Sequence, residues 1–220
     1  ELMDTYVLAD LNDLADYIIE TSRKGTIDAI TQVRAGVYKN SLIVDGYETP
    51  VKLTATLTVE KDRLHLDFAG TSGPSSKGIN VPLNYATAYS VFAMRCIIGS
   101  DIPNNAGSLE PFVVTGPKGC ILNAQHPAPV AMRHTLGQMT PDLVFGCLHQ
   151  ALPDRVPAEG ASSMYDLPLR HTADAVMSGG TQFAIELVHN GGTGARPYLD
   201  GLSATAYPSG VFGSQVEMTE

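Results

Sequence analysis

Residues 51–60, VKLTATLTVE, decide the fold because apolar and polar side chains alternate at every position. A period of two places successive side chains on opposite faces of a strand, with one face buried and the other facing solvent. After a turn at residues 61–63, the alternation returns in Leu64, Leu66 and Phe68. The two runs predict a β-hairpin, and a preceding strand at residues 37–44 would extend the sheet to three strands.

Helical patterns flank this sheet on both sides. Before it, apolar residues recur at helical spacing from Leu8 to Val33, with acidic residues on the opposite face and a candidate break at Gly25. After it, residues 83–99 predict an apolar helix that ends at a glycine cap. Residues 138–151 predict a second apolar helix with Pro141 near its start. Between these two helices, residues 111–116 and 120–123 are predicted to form short strands.

The last third of the chain is rich in Gly, Ser, Pro and Tyr, and only residues 181–190 have a strand-like pattern. No internal repeat and no clear linker interrupts the sequence. We therefore predict an α+β fold: a mostly antiparallel sheet, two or three packed helices and a loop-rich C-terminal third. Residues 1–220 are predicted to form a single α+β region.

Composition excludes several classes of protein. Hydrophobic residues make up 44% of the chain and charged residues 17%, which is typical of a globular protein. The net charge of −9 and the lack of a basic stripe argue against binding to nucleic acid or to an anionic membrane. No apolar run approaches the length that spans a bilayer. Three widely spaced cysteines, at positions 96, 120 and 147, favour reduced thiols in a cytoplasmic protein.

Motifs for phosphate, dinucleotide or metal binding are incomplete. In the loop Gly70–Gly78, Lys77 precedes the second glycine, whereas a Walker loop needs Lys and Ser or Thr after it. The stretch GGTGARP at residues 191–197 lacks the third glycine of a dinucleotide fingerprint. No G-x-S-x-G elbow is present, and no His or Cys spacing fits zinc. The sequence thus identifies no catalytic residue and no metal ligand.

Two candidate binding segments remain in the first 150 residues. Arg133 and His134 stand just before the second apolar helix and could meet an anionic or carbonyl group, although a helix cap or a packed surface position is the alternative. Asn104, Asn105 and Gly107 are turn-forming residues between a helix and a strand. They either close the turn locally or offer amide groups to a substrate carbonyl.

A third candidate segment lies near the end of the chain. Gly192 and Gly194 would let the backbone approach a ligand closely. Arg196 could bind a carboxylate or a phosphate through two parallel hydrogen bonds, or it could instead pair with Asp200.

Four stretches, considered together, resemble the hydantoinase B/oxoprolinase family in order and spacing. They are LHLDFAGTS (64–72), GINVP…PAPV (78–130), LHQALPDRVPAEG (148–160) and NGGTGARPYLDG (190–201). The second contains D-I-P-N-N-A-G, a strand and P-x-G-x-x-L-N, which is its most specific part. The resemblance includes B-type subunits of ATP-dependent N-methylhydantoinases, the C-terminal half of 5-oxoprolinase and an acetone carboxylase subunit.

The resemblance implies part of a B-type subunit of an ATP-dependent cyclic amidase. An A-type ATPase subunit of the actin/hexokinase class would activate the substrate with ATP, and the partners would be that subunit and the remainder of the B-type subunit, in an oligomer. A ketone carboxylase subunit and a non-catalytic assembly module remain alternatives.

The resemblance also has limits. The full enzyme is expected to need a divalent metal and ATP, neither bound by this chain, because the family's metal motifs lie in a part that these residues do not resemble. The chain is therefore predicted to be an internal slice of a longer subunit and inactive alone. Met132, Arg133 and His134 stand where many relatives have Gly-Gly-Asn, which implies a different substrate preference if this segment faces the ligand.

Overall fold

The alternating stretch forms the second strand of a four-stranded sheet. In the computed structural model, which describes residues 2–7, 9–160, 164–170, 184–190 and 192–202, β2 (Val51–Val59) pairs antiparallel with β1 (Gly36–Val44) and with β3 (Leu64–Asp67). Leu53, Ala55 and Leu57 are fully buried, as the period of two predicts. The hairpin, the preceding strand and the mostly antiparallel sheet are thus confirmed.

The fourth strand pairs in a way that the sequence pattern did not predict. Strand β4 (Phe112–Thr115) runs parallel to β3, giving the order β1-β2-β3-β4. A parallel neighbour requires a long crossover connection. Here the connection contains the helix α3 (Leu83–Ile97) and the short helix α4 (Ala106–Leu109). The carboxyl ends of β3 and β4 therefore lie at the same edge of the sheet.

One face of the sheet is covered by α3 and by α6 (Thr140–Leu148), which pack against each other. The buried faces of these helices and strands form one hydrophobic core. The Asn40 side chain of β1 donates to the Leu143 carbonyl oxygen at 3.1 Å, which fixes α6 against the edge strand. The helix predicted at 138–151 is shorter than expected, with Pro141 in its first turn and a separate turn, α5 (His134–Gly137), before it.

Helix α2 (Asn12–Ile30) runs unbroken through Gly25, so the candidate break there is wrong. A helix at the very start, α1 (Leu2–Tyr6), precedes it. Gly25 lies where the Ile102 side chain approaches the helix, so the missing side chain makes room for packing. Within the part of the chain that the structure describes, no helix combines the length and apolar character that crossing a bilayer requires.

The middle of α2 packs against α4, and Gly107 makes this contact close. A Cβ added at Gly107 would overlap the backbone carbonyl oxygen of Ile19. Asn105 caps α4: its side chain accepts a hydrogen bond from the Ser108 amide at 3.1 Å, and its own amide donates to the Ser108 hydroxyl oxygen at 3.0 Å. The Asn105 side chain also donates to the Ser22 hydroxyl at 2.8 Å. Cap and helix contact therefore depend on the same short segment.

The loop between α3 and α4 is wrapped around the buried guanidinium of Arg95. This group donates to the backbone carbonyl oxygens of Ile98, Gly99 and Ile102, and to the Asn104 side-chain oxygen at 3.2 Å. Gly99, the predicted cap, has a φ of 63° and lets the chain reverse at the helix end. Burial lowers the pKa of Arg95, while the carbonyl oxygens replace water around its charge.

Residues 120–123 form a turn, so the short strand predicted there is wrong. The Cys120 amide donates to the Pro117 carbonyl, and the Asn123 amide donates to the Cys120 carbonyl. Ile121 and Leu122 are completely buried, which explains their strand-like apolarity. An apolar run of this length does not distinguish a buried turn from a buried strand.

The chain divides into two compact units, residues 1–156 and 157–220. In the second unit, β5 (Met164–Arg170) pairs antiparallel with β6 (Ala184–Asn190). Strand β6 confirms the strand expected near 181–190, although residues 181–183 lie outside the described residues. Strand β5 was not predicted, because Pro168 interrupts its pattern.

We expect Gly107→Ala to destabilise the fold by about 1–3 kcal/mol, because the added methyl group would force α4 away from the backbone of α2. Urea unfolding followed by circular dichroism measures this change. Gly73→Ala is the matched control, since nothing lies within 4 Å of a Cβ at that position. Equal midpoints for the two variants would contradict the close contact.

Thiol labelling tests the burial of the core. Cys96 is exposed, whereas Cys147 is fully buried and its burial raises the pKa of the thiol to about 12. Burial keeps the reagent away from Cys147, and its raised pKa leaves little reactive thiolate at pH 8. Desolvation also raises the pKa of Cys96, so accessibility is what separates the two thiols. Mass spectrometry after iodoacetamide treatment of the native protein should therefore find Cys96 modified and Cys147 unmodified, and urea should expose both. Early labelling of Cys147 would show that α6 is not packed as described.

Candidate functional site

The loops that follow β3 and β4 interlock at the shared carboxyl-end edge of the sheet. The Ile121 amide donates to the Ser72 carbonyl at 2.9 Å, and the Val81 amide donates to the Ile121 carbonyl at 2.8 Å. The Ala124 amide in turn donates to the Val81 carbonyl at 3.0 Å. We call residues 68–82 and 116–133 the carboxyl-end loop cluster. Ligands of sheets with parallel strands commonly bind outside such carboxyl ends, so this edge is the first place to look for a site.

Asn80 ties the two halves of this cluster together. Its side chain is fully buried, and its oxygen accepts from the Ser75 amide at 2.8 Å. Its nitrogen donates at 2.9 Å to the carbonyl oxygens of Ser75, Lys77 and Pro129. The last bond joins the loop after β3 to the loop after β4. Asn80 was not singled out from the sequence, although a polar residue between Ile79 and Val81 was the available signal.

The glycine-rich loop at residues 70–78 is held by a carboxylate. Glu48 accepts hydrogen bonds from the hydroxyl groups of Ser75 and Ser76, at 3.0 and 2.5 Å, and from the Ser76 amide at 3.1 Å. These hydrogen bonds lower the pKa of Glu48 and keep it ionised. The hydroxyl groups that a phosphate cradle would use are therefore bound to a negative charge, which agrees with the failure of the Walker pattern.

Beside the cluster, Arg133 lies over the ring of Tyr85, in the first turn of α3. The guanidinium carbon is 5.5 Å from the ring centroid, and Nη1 donates to the Val130 carbonyl at 3.4 Å. The Tyr85 ring stacks on Tyr89, with 4.9 Å between ring centroids. A Cβ at Gly137 would overlap the Tyr85 ring, so α5 also packs directly against it. The ring is thus a fixed support for an exposed guanidinium.

The environment of Tyr85 keeps its hydroxyl group protonated. Burial raises the pKa of Tyr85, and the hydrogen bond with Tyr89 raises it further, while the charge of Arg133 opposes the shift. Neither tyrosine was predicted as a site residue from the sequence. Their spacing of four residues at the start of a helix was visible, but it equally fits ordinary core packing.

The structure separates the predicted site residues. Arg133 lies over Tyr85 at the first turn of α3, next in the chain to His134, whereas Asn104, Asn105 and Gly107 follow the last turn of that helix. A helix of 15 residues is about 22 Å long, so these groups cannot contact one small substrate together. The observed contacts of the second group are structural. Asn104 accepts from Arg95, Asn105 caps α4, and Gly107 allows the close contact between α2 and α4.

The third predicted group lies in the second unit. A Cβ at Gly194 would overlap the Ala158 carbonyl oxygen, so this glycine allows a close backbone contact. Gly192 is half-buried nearby in the chain. Arg196 is exposed and donates through Nε and Nη2 to the backbone carbonyl of Asp200, at 3.2 and 3.1 Å. The alternative pairing with Asp200 is thus found, but through the main chain and not through the carboxylate.

A further polar group lies on β3 and β4. His65 Nε2 is 2.8 Å from the Thr115 hydroxyl, which is 3.4 Å from an Asp67 carboxylate oxygen. Here the hydroxyl lies between the imidazole and the carboxylate. In a nucleophilic triad the imidazole lies between the hydroxyl and the carboxylate, so this group is not such a triad. Among the described ranges, no three His, Cys, Asp or Glu side chains come together as a metal site.

Comparisons with known proteins agree with the resemblance found in the sequence. The hydantoinase B/oxoprolinase family model matches residues 1–220. A protein of Pseudomonas sp. (strain NS671), named as the B-type subunit of a D-/L-hydantoinase, is 29% identical over 173 residues, covering 72% of this chain and 29% of its own length. The 5-oxoprolinase of Saccharomyces cerevisiae is 30% identical over 96 residues, 43% of this chain and 8% of that protein.

Two solved structures share the fold. The ATP-dependent caprolactamase from Pseudomonas jessenii has a TM-score of 0.77 and 21% identity, and the match covers 93% of this chain and 36% of that one. Nucleotide-free acetone carboxylase has a TM-score of 0.71 and 19% identity, over 90% and 30% of the two chains. This chain spans about a third or less of these relatives. The match along all 220 residues shows that the chain belongs to the hydantoinase B/oxoprolinase family.

Proposed function

We propose that this chain is part of the B-type subunit of an ATP-dependent cyclic amidase. The enzyme would open a hydantoin, 5-oxoproline or another lactam ring together with an A-type ATPase subunit. The observation that carries the proposal is the fold shared with an ATP-dependent caprolactamase over 93% of this chain, within an established family membership.

The chemistry explains why two kinds of subunit would cooperate. An amide carbonyl is a weak electrophile, and transfer of the ATP γ-phosphoryl group to its oxygen converts that oxygen into a leaving group. Water then adds to the ring carbon, and the carbon–nitrogen bond breaks as the nitrogen takes a proton, which leaves an acyl phosphate. A second water hydrolyses the acyl phosphate to the carboxylic acid and inorganic phosphate. Since the hydroxyl groups of the Gly70–Gly78 loop already bind Glu48, we assign the nucleotide to the partner.

On this chain, the carboxyl-end loop cluster and the adjoining Arg133 and Tyr85 would bind and orient the substrate. His134 remains a predicted substrate contact, and Gly192, Gly194 and Arg196 of the second unit remain predicted binding residues considered by themselves. The family implies a divalent metal, but the described residues do not fit one, so no step of this proposal runs through a metal on this chain.

Two other functions have observations in their favour. The acetone carboxylase fold favours an ATP-dependent ketone carboxylase subunit. The internal bonds of Asn104 and Asn105 favour a non-catalytic assembly module, since these amides are used to hold the fold. The reaction products separate the three functions.

The test is to reconstitute the chain with an A-type subunit and the remaining B-type polypeptide. We expect ATP-dependent ring opening of 5-oxoproline, hydantoin or caprolactam, measured as ADP and ring-opened acid by liquid chromatography. ADP formation coupled to consumption of acetone and bicarbonate would instead establish the carboxylase. A complex that assembles and shows neither reaction would leave the assembly module.

We also expect the 220-residue chain alone to show no turnover. With ATP and Mg²⁺ added, 5-oxoproline should remain unchanged at every time point, because we assign the nucleotide to the partner and no metal cluster is found among the described residues. Nuclear magnetic resonance of the mixture measures this directly. Lactam hydrolysis by the purified chain would contradict the proposed division of labour.

A further inference from the structure

We propose that Arg133, supported by Tyr85, is a subsite for a carboxylate, so that the substrate is a cyclic amide that carries a carboxylate beside its ring. This inference rests on the proposed function and narrows its substrate class. It is built on how the guanidinium is held, on the lack of an ion pair with any described residue and on its place in the fold.

The Arg133 guanidinium is held in a way that leaves it available to bind a ligand. Other arginines in residues 9–160 are engaged by carboxylates or by main-chain carbonyls: Arg23 with Glu20, Arg63 with Glu60 and Asp62, Arg34 with Gln150, Arg95 with its loop and Arg155 with Ile97. Arg133 has one long hydrogen bond, to the Val130 carbonyl at 3.4 Å. Within the described residues it forms no ion pair.

The support beneath Arg133 is rigid. Tyr85 is fixed by its stacking on Tyr89 and by the close approach of Gly137. A guanidinium lying over an aromatic ring keeps its planar edge of N–H groups free for a second partner. That edge matches the two oxygens of a carboxylate, which it can bind through two parallel hydrogen bonds.

The position agrees with a ligand site. Arg133 closes the carboxyl-end loop cluster, where the Met132 amide donates to the Gly78 carbonyl at 2.9 Å. The chain has a net charge of −9, and Arg133 is exposed and forms no ion pair among the described residues. Its positive charge would attract an anionic substrate to this edge.

The experiment compares two ligands that differ by one carboxylate. Binding of 5-oxoproline and of 2-pyrrolidinone, its neutral counterpart, is measured by calorimetry on the 220-residue chain. We expect 5-oxoproline to bind and Arg133→Met to weaken this binding by about tenfold or more, since a charged hydrogen-bonded pair is lost. Arg133→Lys keeps the charge but not the planar fork, and its affinity should lie between the two.

Arg63→Met is the matched control, because Arg63 is an exposed arginine on the β2–β3 turn. It should bind 5-oxoproline like the wild type. Binding of 5-oxoproline that Arg133→Met leaves unchanged, equal affinity for 2-pyrrolidinone or no saturable binding to the wild type would each overturn the proposal.

Failure of this inference and failure of the proposed function are distinguishable. If the reconstituted enzyme opens 5-oxoproline and Arg133→Met leaves KM unchanged, the subsite is wrong and the cyclic amidase stands. If 5-oxoproline binds through Arg133 but no ring is opened, the subsite stands and the amidase is wrong. A rise in KM with little change in kcat is the result expected when both are right.

Discussion

The parallel pairing of β3 with β4 is the constraint on which the rest of this structure depends. A parallel neighbour cannot be reached by a tight turn, so the chain must cross over through α3 and return. The crossover brings the loops after both strands to one edge, where they interlock through main-chain hydrogen bonds and the buried Asn80. It also places the two ends of α3 at opposite ends of the sheet. The residues around the two ends have different roles.

At the far end of α3 the polar residues hold the fold. Carbonyl oxygens of the following loop take the place of water around the buried Arg95 guanidinium. Asn105 caps α4 and also forms a hydrogen bond with α2. Asn and Gly in a sequence motif suggest ligand contacts. Here the helix cap requires Asn105, and the close backbone approach requires Gly107. In this motif, Asn104, Asn105 and Gly107 hold the local architecture around α4.

At the near end, the same helix supports Arg133 through the Tyr85 ring. The difference between the two arginines is physical: Arg95 is buried and surrounded by acceptors, whereas Arg133 is exposed and has one long hydrogen bond. Under the proposed function, this end of the helix would select the ring to be opened. An acidic chain repels a substrate carboxylate over most of its surface. The Arg133 guanidinium would therefore be a favoured place for that carboxylate to bind.

The sequence by itself determined the hairpin, the edge strand, the main helices and the family. These follow from side-chain periods and from motifs that are local in the chain. Tertiary structure decided the parallel pairing of β4, the buried turn at residues 120–123 and the separation of Asn104, Asn105 and Gly107 from Arg133. It also brought Tyr85 under Arg133, two residues 48 positions apart. Such outcomes depend on contacts between distant segments, and neither propensity nor periodicity carries information about which distant segment will be met.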